Sequence, residues 1–173
     1  ELAWYAEESN RFGTDEFIQY CRAVGTEPHI CVNMGTGTMD EAQAWVEYCN
    51  GTGNTSWANL RRTHGHPEPY RVRYWGLGNE MHGGWQIGSL SAEDYVKKAK
   101  TFALVMKRTD PSIELIGCGH NGVSDWDVTV IQGLAPGDHV VAPSDIYHGT
   151  ANVLKHLFAK WRVDSTFVDM TSI

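Results

Sequence analysis

Asn79 and Glu80 put an amide and a carboxylate side by side at the end of the run Trp75-Gly76-Leu77-Gly78. A carboxyl group so placed can give and take a proton, and an amide beside it can bind a hydroxyl. Neighbouring side chains of a regular strand point to opposite faces, so both reach one pocket only if the backbone turns there. Gly76 and Gly78 permit that turn. Directly afterwards, Met81-His82-Gly83-Gly84-Trp85-Gln86-Ile87-Gly88 adds an imidazole, an indole and a second amide on one loop. A hydroxyl-rich ligand needs such a set: a flat apolar face against C–H groups, amides for hydroxyls and a carboxyl group for proton transfer. The plainer reading of the same residues is a surface glutamate in a glycine-rich turn.

Other chemistry is thinner. His64-Gly65-His66 supplies two imidazoles, but a third metal ligand would have to come from His82 or from a carboxylate with no supporting spacing, so neither a metal nor a cofactor is expected. Cys21, Cys31, Cys49 and Cys118 are irregularly spaced and read as buried free thiols rather than as a disulfide framework. A formal net charge of −7 without a basic cluster argues against a nucleic-acid partner. No run of about 18 apolar residues suggests a membrane span, and the start of the chain lacks the pattern of a signal peptide. Compartment, cytoplasmic or secreted, and a homo-oligomeric state are left open.

The elements that must position these groups follow from periodicity. Residues 1–12 read as a connecting loop, with Trp4 and Tyr5 among polar residues. Phe17, Cys21 and Val24 predict a helix over 14–24, stopped by Gly25. Residues 28–34 form a short apolar run with the look of a strand buried on both faces. Thr38 with Glu41 is a capping-box signature for a second helix, whose inner stripe is Ala42, Trp45, Val46 and Cys49. Residues 50–70 read as a long loop, and 71–80 as the strand that carries Asn79 and Glu80. Ser91 and Asp94 open a long helix with Tyr95, Ala99, Phe102, Ala103 and Met106 on one face and Lys97, Lys98, Lys100 and Lys107 on the solvated side. A strand at 113–119, a helix from the Ser124–Asp127 cap to about Leu134, a strand beginning at His139 and a last helix with Leu154, Leu157, Phe158 and Trp161 complete the pattern; residues 163–173 form an unassigned tail. Strands alternating with helices at intervals of roughly 35 to 45 residues mean βαβ units and a parallel sheet. Asn33, Asn79 with Glu80, His120 with Asn121, and Tyr147 with His148 all fall at the carboxyl ends of expected strands, where barrel enzymes keep their sites.

On these strings the chain resembles the α-L-arabinofuranosidases of glycoside hydrolase family 51, over about residues 2–140. The specific parts are 32–38, 45–50 and 75–88. The resemblance implies a single domain over 1–173 that is part of a TIM (β/α)8 barrel, about four strand-helix units with parallel strands, since a whole barrel takes about 250 residues. It implies Glu80 as general acid/base, Asn79 and Trp85 as substrate-binding residues, and Tyr147 as a further substrate contact. Family members often carry Asp and Pro where this chain has His82 and Gly84.

The expected reaction is hydrolysis of terminal non-reducing α-L-arabinofuranosyl groups in arabinan and arabinoxylan by two carboxyl groups about 5 to 5.5 Å apart. Glu80 would need its pKa raised toward neutrality by burial or by a neighbouring carboxylate. The family's nucleophile belongs to a later strand than this chain supplies, so low or absent activity in isolation is expected, with Asp145 the one internal substitute to consider. The alternative is a non-catalytic carbohydrate-binding or scaffold piece that stacks sugars on Trp85, Trp4 and Tyr147. An open half barrel with exposed sheet edges, prone to association, is the third expectation.

Overall fold

The computed structural model describes residues 5, 7, 9–122, 124–134, 139–143, 151–161 and 163–168. Helix α1 (Thr14–Val24) leads to strand β1 (His29–Val32), and α2 (Met39–Asn50) and α3 (Ser56–Thr63) precede β2 (Tyr74–Leu77). Then come α4 (Ala92–Thr109), β3 (Glu114–Gly117), α5 (Asp125–Leu134), β4 (His139–Pro143), helical turns over 151–161, and β5 (Asp164–Val168). Strands β1, β2 and β3 form one parallel sheet in that order, and β4 pairs in parallel with β5 in a second sheet. Parallel neighbours joined through helices are the expected βαβ arrangement. No helix among the described residues is long and apolar enough to cross a membrane.

Local chemistry explains the boundaries. Thr38 and Glu41 cap α2 reciprocally, the Glu41 carboxylate accepting from Thr38 N–H at 2.7 Å and the Thr38 hydroxyl from Glu41 N–H at 3.2 Å. Ser91 Oγ accepts from Asp94 N–H at 3.2 Å to start α4, and Gly25 closes α1 in the left-handed conformation at φ +72°.

The core lies between the sheet and helices α2 and α4. In register, Ile30, Trp75 and Leu115 point one way, as do Val32 and Leu77, and these pack on Val46, Cys49, Tyr95, Ala99, Phe102 and Met106. Trp75 is fully buried, edge-on to Trp45 at 6.1 Å, and donates its indole N–H to Val72 C=O at 3.0 Å.

Several expectations need correction. Strand β1 is not buried on both faces: His29 and Cys31 are exposed, because the described helices cover the face of the sheet that carries Ile30 and Val32. The strand expected over 71–80 is confined to Tyr74–Leu77, so Asn79 and Glu80 belong to the turn beyond it. The expected loop at 50–70 holds α3, whose inward positions are Ala58 and Arg61 rather than an apolar stripe. Ile18, not Val24, accompanies Cys21 on the buried side of α1, and Val24 is exposed. Lys98 and Lys107 do not simply face solvent: their ammonium groups donate to the carbonyls of Met34 and Ile113. All four cysteines are free, but only Cys21 and Cys49 are buried. The segment from Val163, without readable pattern, holds β5.

Candidate active site at the strand ends

The loops after β1, β2 and β3 gather at the carboxyl edge of the sheet. After β1, Asn33 is spent on its own turn: its Oδ1 accepts from Gly35 and Thr36 N–H, each at 3.0 Å, and its amide donates to Thr36 Oγ1 at 2.8 Å.

After β2 the chain turns through two left-handed residues, Gly78 at φ +78° and Glu80 at φ +48°. A Cβ at Gly78 would lie 2.7 Å from Met81 Cγ, so space as well as conformation requires glycine there. A left-handed non-glycine residue costs roughly 1 kcal/mol or more, and Glu80 is held in it by local contacts. Its carbonyl accepts from Gly83 N–H at 2.8 Å, and Gly83 C=O from Gln86 N–H at 2.9 Å. These bonds fold the loop back so that Trp85 Nε1 donates to Glu80 Oε2 at 3.0 Å and Gln86 Nε2 to the same oxygen at 3.4 Å. Oε1 is left without a partner among the described residues. Asn79 and Glu80 are both exposed, and the Trp85 indole is 68% exposed. The burial expected around Glu80 is therefore not supplied by the described residues.

Buried Met81 anchors the loop. Its N–H donates to Cys118 Sγ at 3.3 Å, tying the end of β2 to that of β3, and its carbonyl accepts from Leu90 N–H at 2.8 Å. Burial pushes the Cys118 thiol up, partly offset by the N–H groups of Met81 and Glu80. Tyr95 from α4 adds a second tie, donating to Leu77 C=O and accepting from Cys118 N–H, each at 2.7 Å. Burial drives its phenol well above its ordinary value, so it stays neutral.

After β3, the carboxylate of Asp127 organises the turn, accepting from the N–H groups of His120 at 2.6 Å, Asn121 at 3.2 Å, Gly122 at 2.9 Å and Ser124 at 3.2 Å. Burial pushes this carboxyl up, but these donors outweigh it and hold it below the usual carboxylate range. The turn sets the His120 ring 4.2 Å from His82, which also meets Trp85 edge-on at 5.8 Å and Trp126 at 5.6 Å. His82 Nδ1 is buried without a hydrogen-bond partner among the described residues.

Of the expected site residues, the structure thus brings Glu80, Asn79 and Trp85 to one edge and adds Gln86, His82 and His120. In the sequence His82 and Gln86 are legible as loop residues and His120 as a strand-end residue, but no spacing rule joins positions 82 and 120. Tyr147, with His148 and Asp145, lies outside the described residues, as does Trp4. No group of three or more His, Cys, Asp or Glu side chains among the described residues is arranged to hold a metal ion.

Parallel strands with a carboxylate, an amide and an indole at their carboxyl edge suit the glycoside hydrolase class. The family model described as alpha-L-arabinofuranosidase 1 domain matches residues 1–161. Alpha-L-arabinofuranosidase C of Emericella nidulans is 56% identical over 137 residues, 79% of this chain and 27% of that protein. The intracellular exo-alpha-(1->5)-L-arabinofuranosidase 1 of Bacillus subtilis is 44% identical over 137 residues, 76% of this chain and 27% of that protein. The crystal structure of the Thermotoga maritima alpha-L-arabinofuranosidase in its arabinose complex has a TM-score of 0.73 at 48% identity, with 92% of this chain and 34% of that one covered. The GH51 enzyme of Thermotoga petrophila also has a TM-score of 0.73, at 46% identity over 93% of this chain and 35% of its own. The chain belongs to the α-L-arabinofuranosidases of glycoside hydrolase family 51. It spans about a quarter of the length of these curated relatives.

Proposed function

We propose that this chain supplies the acid/base half of a retaining α-L-arabinofuranosidase site, on successive units of a (β/α)8 barrel. The substrate is a terminal non-reducing α-L-arabinofuranosyl group of arabinan or arabinoxylan. The observation that carries the reading is Glu80, turned out of the end of β2 with Oε2 held by Trp85 and Gln86 and Oε1 left to reach a ligand. Protonated Glu80 gives its proton to the glycosidic oxygen as the bond to the anomeric carbon breaks and a second carboxylate forms the glycosyl ester. Ionised Glu80 then takes a proton from water, whose oxygen attacks the anomeric carbon and releases arabinose and the second carboxylate. Asn79 hydrogen-bonds the furanose hydroxyls, Trp85 packs its exposed face on the sugar, and Tyr147 is a further contact. The nucleophilic carboxylate is contributed from outside this chain, so the chain alone binds sugar and turns it over poorly.

Two assays test this. The isolated chain should bind arabino-oligosaccharides in calorimetric titration while releasing 4-nitrophenol from 4-nitrophenyl α-L-arabinofuranoside on the order of a thousandfold more slowly than a complete relative. A hybrid in which the chain replaces the matching segment of the Bacillus subtilis relative should hydrolyse that substrate. In it, Glu80→Ala should lower kcat by about 10² to 10⁴. A hybrid whose rate is indifferent to Glu80→Ala would sink the assignment, and binding without turnover in both forms would favour a carbohydrate-binding role.

A further inference from the structure

A groove of about 780 Å³ opens on the helical side of the molecule, between α1, α2 and α3, and none of Asn79, Glu80, His82, Trp85 or Gln86 lines it. Its volume falls within the range of about 300 to 1,000 Å³ usual for small-ligand sites. The walls are aromatic: Trp57 is 43% exposed, and Trp45 and Tyr48 are half-buried. The rim is polar, and most of its carboxylates are already in use. Glu16 accepts from Gly13 N–H at 2.8 Å, and Glu41 caps α2. Asp15 accepts from the Tyr70 hydroxyl at 3.0 Å and pairs with His66 at 3.1 Å. The Asp40 carboxylate makes no hydrogen bond among the described residues and is exposed at the rim. His64 meets the Tyr48 hydroxyl through Nδ1 at 2.9 Å, and its Nε2 has no hydrogen bond among the described residues. Gln43 gives its amide N–H to Glu47 at 3.0 Å and keeps its carbonyl oxygen.

Among the described residues the groove thus offers an indole face, the Asp40 carboxylate, His64 Nε2 and the Gln43 amide oxygen, with no Lys or Arg in its lining. A ligand matching that set has flat C–H surfaces and several hydroxyl donors and carries no negative charge. We propose that this groove is a second carbohydrate site, separate from the strand ends, that takes a neutral arabino-oligosaccharide stretch with Trp57 as its stacking platform. The sugar class rests on the function proposed above; the site itself rests on the groove. Binding here would hold a neighbouring part of the polysaccharide and raise the local concentration of chain ends at Glu80.

The test is NMR of the whole chain labelled with ¹⁵N at tryptophan, with the Trp57 and Trp85 indole signals assigned by their loss in Trp57→Phe and Trp85→Phe. Titration with α-1,5-arabinotriose should shift both signals. The double variant Asp40→Ala/His64→Ala should weaken the Trp57 response at least fivefold and leave the Trp85 response unchanged, with an unaltered melting temperature to show that the fold is kept. A Trp57 signal that stays still while Trp85 moves would overturn the second site and spare the strand-end reading. A Trp57 signal that answers only to spermidine would overturn it too, as an acidic surface for cations. Silence at Trp85 with a response at Trp57 would support the groove and count against the strand-end site.

Discussion

Trp85 donates its indole N–H to Glu80 Oε2 at 3.0 Å, so the side chain with the most exposed flat face on the loop also fixes the loop's carboxylate. Glu80 and Trp85 are five residues apart, and the bond forms because Glu80 is left-handed and Gly83 turns the chain back through its bond to Glu80 C=O. The exposed indole and the carboxylate are therefore mechanically coupled, whatever each does to a ligand. Replacing Trp85 with Phe keeps a flat apolar face and deletes the donor. In the hybrid enzyme kcat should fall about tenfold, the effect of losing a hydrogen bond of roughly 1.5 kcal/mol to a charged group, while KM changes little. A change confined to KM would mean that the bond does not position Glu80.

Gly83 is buried beneath that indole. A Cβ there would lie 2.4 Å from Trp85 Cε2 and 2.5 Å from Cζ2, closer than any real contact. Gly83→Ala must push the ring off Glu80, so it should reduce kcat at least as much as Trp85→Phe. The loop sits outside the main helix–sheet core, and the melting temperature should move by only a few degrees, in line with a cost of about 1 kcal/mol. Activity equal to the unaltered hybrid would show that the ring has another resting place.

Asp127 makes stability depend on acidity. Its carboxyl lies lower in the folded protein than its ordinary value of 3.8, because its several N–H donors outweigh burial. A carboxyl depressed on folding stabilises fully above its unfolded pKa and loses that contribution as the pH falls through the folded value. Urea midpoints should thus be level from pH 7 to 5 and drop below about pH 4. Asp127→Asn, with one oxygen fewer and no charge, should flatten part of that drop and cost about 1 to 3 kcal/mol at neutral pH. The same variant should loosen His120, read as a change in its ring proton shifts.

Arg61 is fully buried, with its guanidinium donating to the carbonyls of Tyr48, Gly51, His66 and Pro67 at 2.8 to 3.2 Å. It joins α2, α3 and the approach to β2. Arg61→Met fills similar space and strands those carbonyls, so equilibrium unfolding should show a loss of about 2 to 4 kcal/mol. Arg61→Lys should recover less than half of it, because a single ammonium cannot reach carbonyls spread across a planar fork. Full recovery by Lys would show that charge alone matters there.

What was legible in the sequence were the features written into neighbouring residues. The bounds of α1 follow from its apolar spacing and Gly25, α2 announces itself through Thr38 and Glu41, and the stripe of α4 runs from Tyr95 to Met106. The local turn that brings Asn79 and Glu80 out together was visible in Gly76 and Gly78, although the left-handed residues proved to be Gly78 and Glu80. Helix α3 was not legible, because its inward side is an arginine whose partners lie on other segments. The exposure of His29 and Cys31 was equally hidden, since alternation marks two faces and does not say which of them helices will cover.

The sequence by itself determined the order of the strands and helices other than α3 and β5, and the residue types offered at the strand ends, since these depend on periodicity, caps and turns within a few residues. Only the tertiary structure decided how those types are used. It spent Asn33 on its own turn and tied Glu80 to Trp85, set His82 against His120 across two loops, and left Asp40 and Trp57 facing a groove between three helices. Such assignments come from distances between segments remote in the chain, and packing sets those distances only when the sheet and its helices close on one another.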